Sequence, residues 1–393
     1  MFRRWMLLLF VPFLASTGVA QAAEPVVPRL PAPTGPHAVG VTELHLVDSV
    51  RPDPGSPTRT REVMVSVFYP AGEVGGYPEA PQMTRKAAEW FATTDTVILH
   101  PELSSTKDKV GWAATRTHAH TGAPARPGRR PVVLYSPGFG DPRTLGTGVA
   151  EELASRGFVV VTMDHPGETS LVEFPGGRVR TILELNGRNP GTDPAAFRAM
   201  ITTRLADTRL VLDRLEKLAE GENPDAEHRP LPKNLGRALE PHRIGMYGHS
   251  AGGTTAAEAM HEDPRIDAAV NLEGFLDYLP EQPGQAGELL PIVRAGTGRP
   301  LLLWGTDGYR TERYDRAWSA MLARSPERTC RRQLGDATHW VFTDFGAVAP
   351  QLEAAGLMTG AQRKSLIGAI SPAKSVPAVR DGVVAFFTRT LRR

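Results

Sequence analysis

Residues 244–253 read Ile-Gly-Met-Tyr-Gly-His-Ser-Ala-Gly-Gly, and this stretch decides the fold. Its centre, Gly248–Gly252, is a G-x-S-x-G pattern around Ser250. An apolar strand-like run precedes the pattern, and helix-forming residues follow it over 251–261. A strand, a sharp turn and a helix in this order lift the serine hydroxyl above the edge of a sheet, where the helix N terminus favours negative charge. The pattern therefore predicts a nucleophilic serine.

A serine nucleophile needs a base, and two histidines follow Ser250 in the chain. His261 falls within or just after the helix that the pattern opens, so it points away from the carboxyl edge of the sheet. His339 follows a strand-like run, 331–334, in a loop. A loop after the last strand is where this architecture places its base. We therefore expect His339 to be the general base.

The acid that orients the base has two candidates. Glu273 ends the apolar run 268–272, and Asp307 follows the apolar run 300–304. Both lie between Ser250 and His339 in the chain, and both come at the carboxyl ends of predicted parallel strands, where sites form in open sheets. Position in the sequence does not separate them.

The oxyanion of an acyl-transfer reaction needs two hydrogen-bond donors. The predicted strand 132–135 leads into Ser-Pro-Gly-Phe-Gly at 136–140, whose glycines let a backbone N–H turn toward the serine. The predicted donors are the backbone N–H groups of Phe139 and Ala251. The candidates for the pocket lining are His165, which follows an apolar strand, together with His249 and Trp340.

Strand-like and helix-like segments alternate from residue 131 onward, with a long amphipathic helix predicted over 197–218. This alternation predicts an α/β fold with a mostly parallel central sheet and helices on both faces. Upstream, 41–47 and 63–69 predict an antiparallel hairpin. We expect one domain over 41–393, in which 166–196 is a candidate lid or acyl-pocket segment and 221–241 is a surface insertion.

The N terminus has the pattern of a secretory signal peptide. Arg3 and Arg4 precede an apolar run, 5–14, and small residues lead to Ala22. We expect residues 1–22 to be removed by cleavage near Ala22, a proline-rich leader at 23–40, and a secreted or periplasmic protein. The chain has 45 Lys and Arg against 43 Asp and Glu. Removal of Arg3 and Arg4 balances the two, so no basic excess indicates an acidic partner.

With these residues in place, the chain resembles the α/β-hydrolase superfamily, and within it the secreted, plasma-type platelet-activating factor acetylhydrolase family and its bacterial relatives. The resemblance runs over most of 41–345. It rests on the segments 61–70, 132–140, 248–253, 271–274 and 338–345. In that family the acid lies in a Leu-Asp motif, at the end of the strand that comes after the helix opened by the serine pattern. The matching position here is Glu273. The resemblance thus favours Glu273 over Asp307, although glutamate is one methylene longer than the family's aspartate.

The resemblance implies a serine carboxylic-ester hydrolase that uses no cofactor or metal and acts on a small-molecule or lipid ester. An extracellular acyltransferase with the same triad is the alternative, and a non-enzymatic binding protein on the same scaffold is the second. No phosphate-binding glycine loop or basic aromatic patch indicates nucleotide or nucleic acid. After the signal peptide, no apolar stretch reaches the length of a membrane-spanning helix, so no permanent membrane span is expected.

Overall fold

Continuous runs of buried β-branched and leucine residues form the centre of the sheet, because helices cover both of its faces. The runs 132–134 and 159–161 are fully buried in this way.

The structure is a computed structural model that describes residues 24–106, 108–282 and 284–391. The signal peptide expected at 1–22 lies outside the described residues.

The chain alternates between strands and helices after an N-terminal strand pair. The strands are β1 (Val39–Asp53), β2 (Ser56–Pro70), β3 (Glu79–Pro81), β4 (Arg116–Thr121), β5 (Arg130–Ser136), β6 (Val159–Met163), β7 (Leu171–Phe174), β8 (Arg178–Thr181), β9 (Leu239–His249), β10 (Ile266–Leu272), β11 (Leu301–Thr306) and β12 (Thr329–Leu334). The helices are α1 (Arg85–Trp90), α2 (Thr96–Ile98), α3 (Thr147–Ser155), α4 (Pro194–Glu220), α5 (Leu235–Ala238), α6 (Ala251–Glu262), α7 (Pro291–Ala295), α8 (Glu312–Arg324), α9 (Phe345–Ala354), α10 (Gly360–Ile367) and α11 (Pro372–Leu391).

The main sheet has the strand order β12-β11-β10-β9-β5-β6-β2-β1-β4-β3. The strands from β12 to β6 are parallel, whereas β2 runs antiparallel to both β6 and β1. This arrangement confirms the predicted fold class and the N-terminal hairpin, which is longer than its sequence pattern indicated. Ser136 pairs with Gly248, and Leu272 pairs with His249. The carboxyl ends of β5, β9 and β10 therefore meet at one edge.

Two apolar layers enclose the sheet. Helices α3, α9 and α11 pack on one face, and α4, α6 and α8 pack on the other. The predicted helix at 197–218 is α4, whose buried side chains include Leu212, Leu215 and Leu218. Within the described part of the chain, no helix has the length and apolar character that crossing a membrane requires.

The segments outside the central sheet are tied to it by hydrogen bonds. In the proline-rich leader, the Thr34 N–H donates to Glu152 Oε2 of α3 at 2.8 Å. The segment 221–241 lies along β1, since the His45 N–H donates to Asp225 Oδ1 at 2.9 Å. The segment 166–196 contains the antiparallel pair β7 and β8.

A buried ion pair fastens the hairpin to helix α4. Arg61 on β2 donates from Nε and Nη2 to the two carboxylate oxygens of Asp207, at 3.0 and 2.6 Å. Arg51 adds a bond of 2.6 Å to Asp207 Oδ1. Burial raises the pKa of the Asp207 carboxyl, but the Arg61 charge and the hydrogen bonds from His165 and Arg61 outweigh burial and hold that pKa well below its usual range. Asp207 is therefore ionised in the interior.

We expect Asp207→Asn to lower the free energy of unfolding by about 3 kcal/mol, because the buried Arg61 loses the carboxylate that binds it at two atoms and keeps its bond to Asp53 Oδ2 at 3.0 Å. Asp213→Asn, on an exposed turn of the same helix and paired with Arg265, should change that energy by less than about 1 kcal/mol. Urea unfolding followed by circular dichroism measures both. Equal losses in the two variants would contradict the assignment.

Candidate active site

Ser250 lies in the turn between β9 and α6 with φ 55° and ψ −122°, a backbone conformation that is strained for a residue with a side chain. Close packing maintains it. A Cβ atom at Gly248 would lie 2.1 Å from Gly252 O, and one at Gly252 would lie 1.9 Å from Ser136 O. The Ser250 N–H donates to Leu272 O at 2.8 Å. The two glycines thus let the strand, the helix and the neighbouring loop meet under the serine.

His339 begins a short 3-10 turn after β12, and its imidazole contacts Glu273. Nδ1 lies 2.8 Å from Glu273 Oε2, and both residues are buried. The other carboxylate oxygen, Oε1, accepts the N–H and the hydroxyl of Thr306 at 2.5 and 2.7 Å. Because a carboxylate only accepts, the proton between them belongs to Nδ1, which leaves Nε2 able to receive a proton.

Asp307, the other candidate acid, is exposed, and its carboxylate binds backbone groups instead of the imidazole. Its carboxylate oxygens accept the backbone N–H groups of Asp336 and Ala337, at 3.0 and 3.2 Å. These bonds shape the turn that precedes His339. The structure therefore brings Glu273, and not Asp307, to the imidazole.

The loop after β5 lies against the serine. A Cβ atom added at Gly138 would be 3.6 Å from Ser250 Cβ. Ala251 is the first residue of α6, so its N–H is one of the unpaired donors at a helix N terminus. Among the hydrogen bonds of the described residues, none uses the N–H of Phe139 or Ala251. Both groups are thus available as donors to a ligand.

Of the three residues predicted to line the pocket, two have no exposed surface. His165 and His249 are fully buried. His249 donates from Nε2 to His339 O at 3.0 Å, and burial together with the neighbouring His339 lowers its pKa well below the usual value. It is therefore neutral, and its hydrogen bond braces the turn that begins at His339. Trp340 is half-buried, with its ring centroid 5.2 Å from that of His339.

The structure adds two features that the sequence did not reveal. The ring of Tyr309 lies over His339 with centroids 4.1 Å apart. A small apolar cluster surrounds Ala251, next to the serine. Its members are Phe197, Met200 and Ile201 of α4, with the half-buried Phe139, Leu205, Tyr278 and Leu279 packed against them. The helical spacing in the sequence predicted the apolar face of α4. It did not reveal that the first turns of this helix pack against Ala251, next to the serine. No group of three or more potential metal ligands occurs among the residues with described positions.

Comparisons with known proteins find a family of ester hydrolases. Residues 26–388 match the model of the family described as platelet-activating factor acetylhydrolase, isoform II. A probable 1-alkyl-2-acetylglycerophosphocholine esterase of Arthroderma benhamiae is 28% identical, covering 95% of this chain and 92% of its own. A platelet-activating factor acetylhydrolase of Gallus gallus is 23% identical over 67% of this chain and 64% of its own. A ferulic acid esterase structure from Streptomyces cinnamoneus is 31% identical and covers 93% of both chains with a TM-score of 0.70.

Replacing Glu273 with Gln should lower kcat by about 10²–10⁴-fold, because an amide neither fixes the Nδ1–H tautomer of His339 nor stabilises its protonated form. Steady-state hydrolysis of p-nitrophenyl butyrate gives the rate. Asp307→Asn is the matched control, and it should retain nearly the full kcat. A large loss in the Asp307 variant with little loss in the Glu273 variant would reverse the assignment.

Proposed function

The chain belongs to the platelet-activating factor acetylhydrolase, isoform II, family and is a serine ester hydrolase, and we propose that Ser250, His339 and Glu273 are its catalytic triad. The observation that carries this proposal is the 2.8 Å contact between His339 Nδ1 and Glu273 Oε2 at the edge where Ser250 occupies its strained turn. The order serine, acid, histidine along the chain supports it.

In the proposed mechanism, Ser250 Oγ attacks the ester carbonyl while His339 Nε2 takes its proton. The carbonyl oxygen becomes an oxyanion, which accepts the N–H groups of Phe139 and Ala251, each donor stabilising the transition state by about 3–4 kcal/mol. The ester C–O bond then breaks, and the alcohol leaves with the proton from His339. A water molecule repeats the sequence on the acyl-enzyme, releasing the carboxylic acid and restoring Ser250.

We place the acyl group of the substrate against the apolar cluster around Ala251, because this cluster adjoins the attacked carbonyl. Its apolar side chains suit an acyl chain, and a short one is in line with the acetyl ester named for the Arthroderma relative. A hydroxycinnamate ester is a second candidate substrate. The aromatic rings of Phe139, Phe197 and Tyr278 favour it, as does the likeness to a ferulic acid esterase.

We also propose that the protein acts outside the cytoplasm. The proposal rests on the signal-peptide pattern of residues 1–22, with cleavage near Ala22. The single cysteine, Cys330, means that the exported protein has no intramolecular disulfide and depends on its core for stability.

Ser250→Ala should abolish hydrolysis of p-nitrophenyl acetate and butyrate by the purified mature protein, because the acyl-enzyme can no longer form. A panel containing these esters, an acetyl glycerophosphocholine and methyl ferulate separates the two substrate candidates by kcat/KM. An added acceptor alcohol distinguishes hydrolysis from acyl transfer. Activity that persists in Ser250→Ala would overturn the triad.

Phe197→Ala should enlarge the acyl site and raise the ratio of kcat/KM for hexanoate over acetate by about tenfold, since each methylene in an apolar pocket contributes roughly 1–3 kcal/mol of discrimination. The control, Leu218→Ala, also removes a buried apolar side chain and so lowers stability, but it should leave the ratio unchanged. An unchanged ratio in Phe197→Ala would place the acyl group elsewhere.

A further inference from the structure

A fully buried polar network lies directly behind the loop 136–140. Ser136 Oγ is 2.9 Å from His165 Nε2, and His165 Nδ1 is 3.0 Å from Asp207 Oδ2. Arg204 of α4 joins the network through Nη1, 3.3 Å from Ser136 Oγ, and through Nε, 2.9 Å from Glu168 Oε2. All five residues are buried. The network therefore connects helix α4 to the loop that carries the proposed oxyanion donor.

The Ser136, His165 and Asp207 contacts have the form of a serine-histidine-acid triad, but all three side chains are buried. Burial and the nearby Arg204 charge lower the pKa of His165 to about 4 against the opposing effect of its hydrogen bond to Asp207, so the ring is neutral at pH 7. Nδ1–H then donates a hydrogen bond to Asp207, and Nε2 accepts a hydrogen bond from the Ser136 hydroxyl. Because neither Ser136 nor His165 has exposed surface, these side chains orient the loop and do not react with a substrate.

Arg204 contacts the loop backbone directly. Its guanidinium donates to Pro137 O at 2.6 Å and to Gly138 O at 3.2 Å. Gly138 C=O and Phe139 N–H belong to one trans peptide unit, so they point in opposite directions. Fixing the carbonyl toward Arg204 thus directs the N–H away from the network. The loop also adjoins Ser250, because a Cβ added at Gly138 would lie 3.6 Å from the Ser250 Cβ.

We propose that Arg204 is a positioning residue for the oxyanion hole, holding the Gly138–Phe139 peptide so that the Phe139 N–H faces the reacting carbonyl. The inference rests on the proposed function, in which that N–H is one of two oxyanion donors. The positive guanidinium also polarises the peptide whose carbonyl it binds, which strengthens the hydrogen bond that the N–H donates. Arg204 itself contacts no reacting atom.

The test compares a carbonyl ester with the matching thiono ester, whose C=S group is a poor hydrogen-bond acceptor. Arg204→Met should lower kcat for the carbonyl ester by about 10- to 100-fold with little change in KM, because one oxyanion donor is misdirected. The rate on the thiono ester should fall much less, so the ratio between the two esters collapses. A merely structural role for Arg204 would lower both rates equally.

Arg380→Met is the matched control, because Arg380 is also buried and donates to two successive backbone carbonyls, Ala32 O at 2.8 Å and Pro31 O at 2.7 Å, in the leader. This variant should lose stability without altering the ester ratio. Arg204→Lys keeps the charge but not the two-pronged contact, so it should lower the ratio by a smaller factor. If the methionine variant does not fold, the ester ratio is measured on Arg204→Lys instead.

An unchanged ester ratio in folded Arg204→Met, or in Arg204→Lys where only that variant folds, overturns the positioning role while leaving the triad intact. Wild-type hydrolysis that does not depend on Ser250 overturns the proposed function instead. Running Ser250→Ala beside the arginine variants therefore separates the two failures.

Discussion

The strained turn at Ser250 is the constraint on which the rest of the site depends. A residue with φ 55° in this position persists only where its surroundings leave no alternative. Here backbone packs on backbone. A Cβ at Gly252 would meet Ser136 O at 1.9 Å, and one at Gly274 would meet Thr254 N at 2.3 Å. The same contacts that fix the serine thus set the distances to the loop 136–140 and to the turn that carries Glu273.

Charge inside the protein links parts that lie far apart in the sequence. Asp207 accepts from Arg61 on the N-terminal hairpin and from His165 behind the loop 136–140. Removing this carboxylate leaves the buried Arg61 with Asp53 as its ionic partner and takes away the acceptor of His165, which is costly. The hairpin, helix α4 and the loop therefore share one ionised group, so the stability of the hairpin and the geometry of the loop are not independent.

The sequence predicted features that depend on local order but not those that depend on side-chain direction. Ser250 and the position of His339 follow from strand and helix succession. Glu273 and Asp307 both follow neighbouring parallel strands. They differ because the Asp307 carboxylate accepts hydrogen bonds from two backbone N–H groups. His165 also ends a strand, but its ring points inward to Asp207, a partner 42 residues away that no local pattern indicates.

Glutamate in place of the family's aspartate is accommodated by the neighbouring strand. The backbone at Glu273 turns through φ 61° directly after β10, and Tyr314 donates its hydroxyl to Glu273 O at 2.5 Å. One carboxylate oxygen reaches Thr306, at the end of β11, and the other faces His339. Since the longer side chain is held at both oxygens and at its backbone, its extra rotatable bond adds little freedom. The carboxylate is therefore firmly oriented toward the imidazole.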